Sequence, residues 1–80
     1  MARVLLFGRL SDVAGWRERR IDEVQTLGEL RALLSKEDAR LGEALGGKGV
    51  QIALDQALVR GDAAIGAASE VAFLPPMSGG

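Results

Sequence analysis

Hydrophobic residues fall into short clusters whose spacing changes along the chain. Val4 to Phe7 is an unbroken apolar run and predicts a first strand. Side chains alternate across a strand, so Val4 and Leu6 share one face, and Arg3, Leu5 and Phe7 the other. Arg3 prefers water, which assigns Val4 and Leu6 to the core. Ser11-Asp12-Val13-Ala14-Gly15 predicts a short helical turn closed by glycine. Trp16 to Val24 follows, with Ile21 and Val24 as its apolar members; its first part predicts a second strand, antiparallel to the first.

Thr26-Leu27-Gly28-Glu29 fits a capping box, in which the Thr hydroxyl and Glu carboxylate satisfy free backbone donors reciprocally. Leu27, Leu30, Leu33 and Leu34 then recur at helical spacing and predict the main helix. Ser35 to Asp38 repeats the capping pattern, which predicts a restart there and a helix to about Leu45, with Leu41, Ala44 and Leu45 as its apolar set. Gly46-Gly47-Lys48-Gly49 is a loop, since three glycines in four residues sustain neither helix nor strand cheaply. A phosphate-binding loop would need Ser or Thr after the lysine and a strand before it; here Gly49 follows and a helix precedes.

Val50 to Leu54 predicts a third strand, Leu58-Val59 a short extended piece, and Arg60-Gly61-Asp62 a turn. Glu70 to Leu74 predicts the last strand, with Val71 and Phe73 facing the core and Glu70, Ala72 and Leu74 facing away. This order suits an α+β fold: a mixed sheet packed on one main helix, the β-grasp arrangement of ubiquitin. A helix covers one face of a sheet only. Leu5, Phe7 and Leu74 then belong to an apolar patch on the uncovered face, and such patches mark partner sites.

Composition narrows the chemistry. The 80 residues make one domain, expected to divide into a body, 1–74, and a flexible C-terminal tail, 75–80. At this length folding buries only about 60% of the unfolded chain's surface. The chain contains neither cysteine nor histidine. It therefore has no thiolate metal ligand and no Ser-His-Asp or Cys-His site of its own. Ten Lys and Arg against eleven Asp and Glu give a net charge of −1. No basic patch announces nucleic acid; Arg17, Arg19 and Arg20 are interleaved with Glu18, Asp22 and Glu23, as on a solvated strand face. The apolar run near Met1 is too short for a signal peptide or a membrane span, so a cytoplasmic location without membrane contact is expected. Without a secretory signal, the Arg-Gly-Asp string reads as a chance occurrence.

The distinctive segment is Pro75-Pro76-Met77-Ser78-Gly79-Gly80. Two prolines enforce an extended path and cannot continue a strand ladder. Six extended residues reach roughly 18–20 Å. The functional group at the tip is the α-carboxylate of Gly80. Transfer of AMP from ATP would make it an acyl adenylate, and a sulfur donor could displace AMP to leave a thiocarboxylate, a soft nucleophile that needs no cysteine in its carrier. Glycines at the tip enter a narrow active site without obstruction. Gly-Gly alone carries little, since glycine is 11 of the 80 residues; its place behind a strand and Pro-Pro gives it weight.

Glu70-Val71-Ala72-Phe73-Leu74-Pro75-Pro76-Met77-Ser78-Gly79-Gly80 resembles the ending of molybdopterin synthase small subunits in the ThiS/MoaD sulfur-carrier family. Val4-Leu5-Leu6-Phe7-Gly8-Arg9-Leu10 with Val13-Ala14-Gly15 resembles its opening, and Thr26 to Leu30 its helix start. The resemblance implies that an E1-like adenylating enzyme activates Gly80 with ATP and that a sulfurtransferase or cysteine desulfurase supplies the sulfur. It implies that Pro75, Pro76, Met77, Ser78 and Gly79 deliver that group into a large synthase subunit, within a heterotetramer of two small and two large subunits. Leu5, Phe7 and Leu74 would meet that partner. The product would be the dithiolene of molybdopterin, made from cyclic pyranopterin monophosphate. No cofactor would be bound permanently, and the acids and bases would sit mainly in the large subunit. A carrier for thiamine thiazole or another sulfur metabolite, and a ubiquitin-like protein modifier, are the alternatives. The chain departs from the family pattern at Ser11, often Arg; at Asp55, often Asn; and at Ala68-Ser69, often Gly-Asp.

Overall fold

The computed structural model describes residues 2–76. The chain runs β1 (Ala2–Leu6), α1 (Arg9–Ala14), β2 (Glu18–Ile21), α2 (Leu27–Glu37), α3 (Ala39–Leu45), β3 (Gln51–Leu54), β4 (Ala57–Val59) and β5 (Glu70–Leu74). The strands form one mixed sheet in the order β2-β1-β5-β3-β4. β1 and β5 lie parallel at its centre, with Val4 beside Val71 and Leu6 beside Phe73. The outer pairings are antiparallel. This is the expected α+β arrangement, with α2 as main helix and α1 and α3 beside it.

The strand faces divide as the alternation requires. Val4, Leu6, Val71 and Phe73 are buried together against Leu27, Leu30 and Leu34 of α2 and Leu41 and Leu45 of α3. Leu33 is only half-buried. Leu10 is buried as well, because α1 starts at Arg9 rather than Ser11 and turns this residue inward.

The start of α2 is held twice. Thr26 Oγ1 accepts a hydrogen bond from the Glu29 amide at 3.1 Å. Glu29 Oε1 reaches back to the amide of Gln25 at 2.8 Å, one residue upstream of the usual capping-box partner. Asp62 Oδ1 accepts from the amides of Gly28 and Ala63, at 2.8 and 2.9 Å. The aspartate of the Arg-Gly-Asp string thus places a carboxylate at a helix N-terminus, where its charge is favoured.

The helix restart lies three residues later than the pattern at Ser35 predicts. α2 continues through Ser35, and Asp38 both ends it and caps α3. Its amide donates to the Leu34 carbonyl, while its Oδ1 accepts from the amides of Arg40 and Leu41. Ser35 instead packs against Gly42 of α3. A Cβ on Gly42 would fall 2.5 Å from Ser35 Oγ and 2.8 Å from Ser35 Cα, so the backbones themselves would have to part. Gly42→Ala is therefore expected to cost about 1–3 kcal/mol, as overpacking does, although alanine favours helix by about 1 kcal/mol. Urea denaturation should show this loss, with Gly66→Ala, whose Cβ would meet nothing within 4 Å, as the near-neutral control.

Arg19 joins β2 to the end of α2. Its Nη1 donates to Glu37 Oε1 at 2.8 Å, and its guanidinium lies 5.1 Å from the centre of the Trp16 ring. The hydrogen bond from Arg19 chiefly lowers the Glu37 carboxyl below its ordinary value; desolvation opposes and charge attraction adds. A carboxyl depressed on folding stabilises above its unfolded pKa and loses that contribution as pH falls through the folded one. The acid limb of a stability–pH curve should flatten slightly in Glu37→Gln. The effect is small, because both side chains stay well exposed.

Candidate functional site

The sheet face turned away from the helices carries the residues that the alternation sends outward. The strand registers place Glu18, Leu5, Ala72, Ala53 and Leu58 in one row across all five strands. Phe7 and Leu74 lie next to this row, where the Phe7 amide donates to the Phe73 carbonyl at 3.3 Å. Leu5 and Leu74 are half-buried, whereas Phe7 is 46% and Leu58 61% exposed. The three residues expected on this face are therefore brought together there.

Leu58 extends the patch beyond that expectation. Alternation alone leaves open which of Leu58 and Val59 points outward; the pairing of Ala53 with Leu58 decides it. The turn before it, Asp55-Gln56, has φ of 51° and 71°, as a two-residue hairpin of type I′ demands. Glutamine gives no sequence signal for such a turn.

Charges border the apolar face. Arg3 donates to Glu18 at 3.2 Å and to Glu70 at 3.4 Å, on the strands either side of it. These exposed pairs add little stability but mark a polar edge. At the opposite end the patch meets the root of the tail. Pro75 is half-buried and Pro76 exposed. Met77, Ser78, Gly79 and Gly80, the rest of the expected delivery segment and its reactive end, lie outside the described residues.

Among the described residues no group of Asp or Glu is placed to hold a metal ion, and no helix is long and apolar enough to cross a membrane. The surface presents an apolar sheet face and, following Leu74, the exposed Pro76.

The ThiS family model matches residues 4–80. The chain belongs to the ThiS family. Among solved structures, small archaeal modifier protein 1 of Haloferax volcanii superposes with a TM-score of 0.82 at 26% identity, over 99% of this chain and 98% of that one. The Methanosarcina acetivorans protein of the same name gives 0.85 at 20% identity, over 99% and 95%. A Pyrococcus furiosus protein described as molybdopterin converting factor, subunit 1, gives 0.77 at 24% identity, over 95% and 97%. A search of curated proteins finds no significant match. The fold is thus the ubiquitin-like β-grasp, and the chain is of the ThiS/MoaD type, a sulfur carrier or modifier.

The departures from the family pattern now have local accounts. Asp55 Oδ1 accepts from the Glu70 amide at 2.9 Å, a bond that asparagine would make with the same atom. Ser69 Oγ accepts from the Gly66 amide at 2.8 Å, as an aspartate there would. Ser11 Oγ donates to the Gly8 carbonyl at 2.8 Å, within the turn that starts α1.

Proposed function

We propose that this protein is the small, sulfur-carrying subunit of a molybdopterin synthase. The observation that carries the reading is the order along β5: Leu74, on the apolar sheet face, runs directly into Pro75-Pro76 and the segment that ends in Gly79-Gly80. Sulfur transfer from a thiocarboxylate suits a chain without cysteine or histidine. An E1-like enzyme adenylates the Gly80 carboxylate with ATP. A sulfurtransferase or cysteine desulfurase presents a persulfide whose outer sulfur displaces AMP, and a second thiol then cleaves the acyl disulfide, leaving the thiocarboxylate on Gly80 and a disulfide on the donor. The large subunit, in a heterotetramer, supplies the acids and bases and the cyclic pyranopterin monophosphate that accepts the sulfur. The similarity to a molybdopterin converting factor subunit supports this choice of pathway.

Incubation with ATP, an E1-like enzyme and a sulfur source is expected to replace one oxygen by sulfur at Gly80, read as the matching mass gain on the intact protein. With a competent enzyme, an unchanged mass contradicts the proposal. A second reading is favoured by the likeness to small archaeal modifier proteins: the same activated glycine forms an isopeptide bond with a lysine. Conjugates of higher mass in cell extract, lost on deletion of Gly80, would decide for it. Recovery of a thiazole synthase in place of a molybdopterin synthase large subunit would point to thiamine instead.

A further inference from the structure

Four glycines among the described residues have positive φ: Gly8 at 56°, Gly15 at 82°, Gly49 at 87° and Gly61 at 74°. Their neighbours divide them into two pairs. A Cβ on Gly15 or Gly61 would meet nothing within 4 Å. A Cβ on Gly8 would lie 3.1 Å from Cγ of Pro75, and one on Gly49 would lie 2.7 Å from Cβ of Pro76. Consecutive prolines thus each rest on the bare backbone of a glycine. The two glycines come from segments far apart in sequence, the β1–α1 connection and the α3–β3 loop.

We propose that Gly8 and Gly49 form a two-point seat that fixes the direction in which the chain leaves β5, and that both are positioning residues for the chemistry carried beyond Pro76. This rests on the reading of the tail as the working end. A proline ring fixes its own φ, so a ring held against the body transmits its orientation to the next residue. Two consecutive rings held this way leave the root of the tail little rotational freedom. Gly8 is itself anchored, since its carbonyl accepts from the amides of Ser11 and Asp12 and from Ser11 Oγ. A methyl group at Gly49 would lift Pro76 off the seat and re-aim the residues beyond it, while the apolar sheet face stayed as it is.

The chain has no cysteine, so Gly80→Cys in the full-length protein takes one nitroxide label at the tail tip. Paramagnetic broadening of body amides then maps where the tip points. Gly49→Ala is expected to redistribute this broadening. Gly15→Ala and Gly61→Ala impose comparable backbone strain with no neighbour and are expected to leave the map as in the parent. Pro76→Gly removes the ring without straining the body and should also redistribute the map; in that background Gly49→Ala should add no further change. An unchanged map in Gly49→Ala or Pro76→Gly overturns the proposal, as does an equal change in Gly15→Ala and Gly61→Ala. Sulfur loading of the unlabelled protein is a separate readout. A tail that loads no sulfur while the map responds as expected defeats the carrier reading and leaves the seat standing.

Discussion

Phe73→Ala is expected to cost about 3–5 kcal/mol, the usual range for emptying a phenylalanine site in a core. Among the described residues Phe73 is the largest fully buried side chain, with no exposed surface. It sits on the central strand, beside Leu6 of β1 and Ile52 of β3. All three belong to the layer beneath the helices, so no flexible surface residue is available to fill the hole. At about 0.05–0.15 kcal/mol per residue, a domain of this length is held by roughly 4–12 kcal/mol in total. The substitution therefore removes a large share of the stability, and the urea midpoint should fall towards zero denaturant. A loss below about 1 kcal/mol would mean that the site collapses around the cavity, against the packing described.

The chain's other phenylalanine behaves in the opposite way. Phe7→Asp is expected to leave stability within about 0.5 kcal/mol, as for surface substitutions in general, because nearly half of Phe7 is already in water. Its effect should appear on binding. An aromatic anchor at the centre of an interface is worth about 2–4 kcal/mol, or roughly 30- to 1,000-fold in affinity. A carboxylate buried there without a partner adds its own desolvation cost. Calorimetry against the proposed large subunit should record the drop. Leu58→Asp should act in the same direction, since Leu58 lies in the same face. Unchanged affinity in Phe7→Asp removes the sheet face from the interface.

The contrast between the two phenylalanines was legible in the sequence. In each case one charged residue, Arg3 or Glu70, told which alternate positions face water. The main helix was legible too, because four leucines repeat at its period behind a capping threonine. The misplacement at Ser35 has a different origin. Serine and aspartate both cap helices, and only the packing of α2 on α3, with Gly42 at the contact, selects Asp38. Residues 63–69 have no regular period. Their buried member, Ile65, is placed by the hydrogen bond its amide donates to the Gln25 carbonyl, a contact across forty residues that no local pattern announces. Of the candidate site, Leu5, Phe7 and Leu74 came from alternation. Leu58 and the glycine seat did not, since both depend on segments that meet only in the folded chain.

The parallel pairing of β1 with β5 also divides the protein. Everything before Gly46 contributes β2, β1 and all three helices; everything after contributes β5, β3 and β4. A cut in the glycine-rich loop would therefore yield two fragments that share the sheet along this single seam. Reassembly would then be a bimolecular event, with a midpoint that depends on fragment concentration, and the molecule would serve as a split reporter whose signal is the closing of its own central seam.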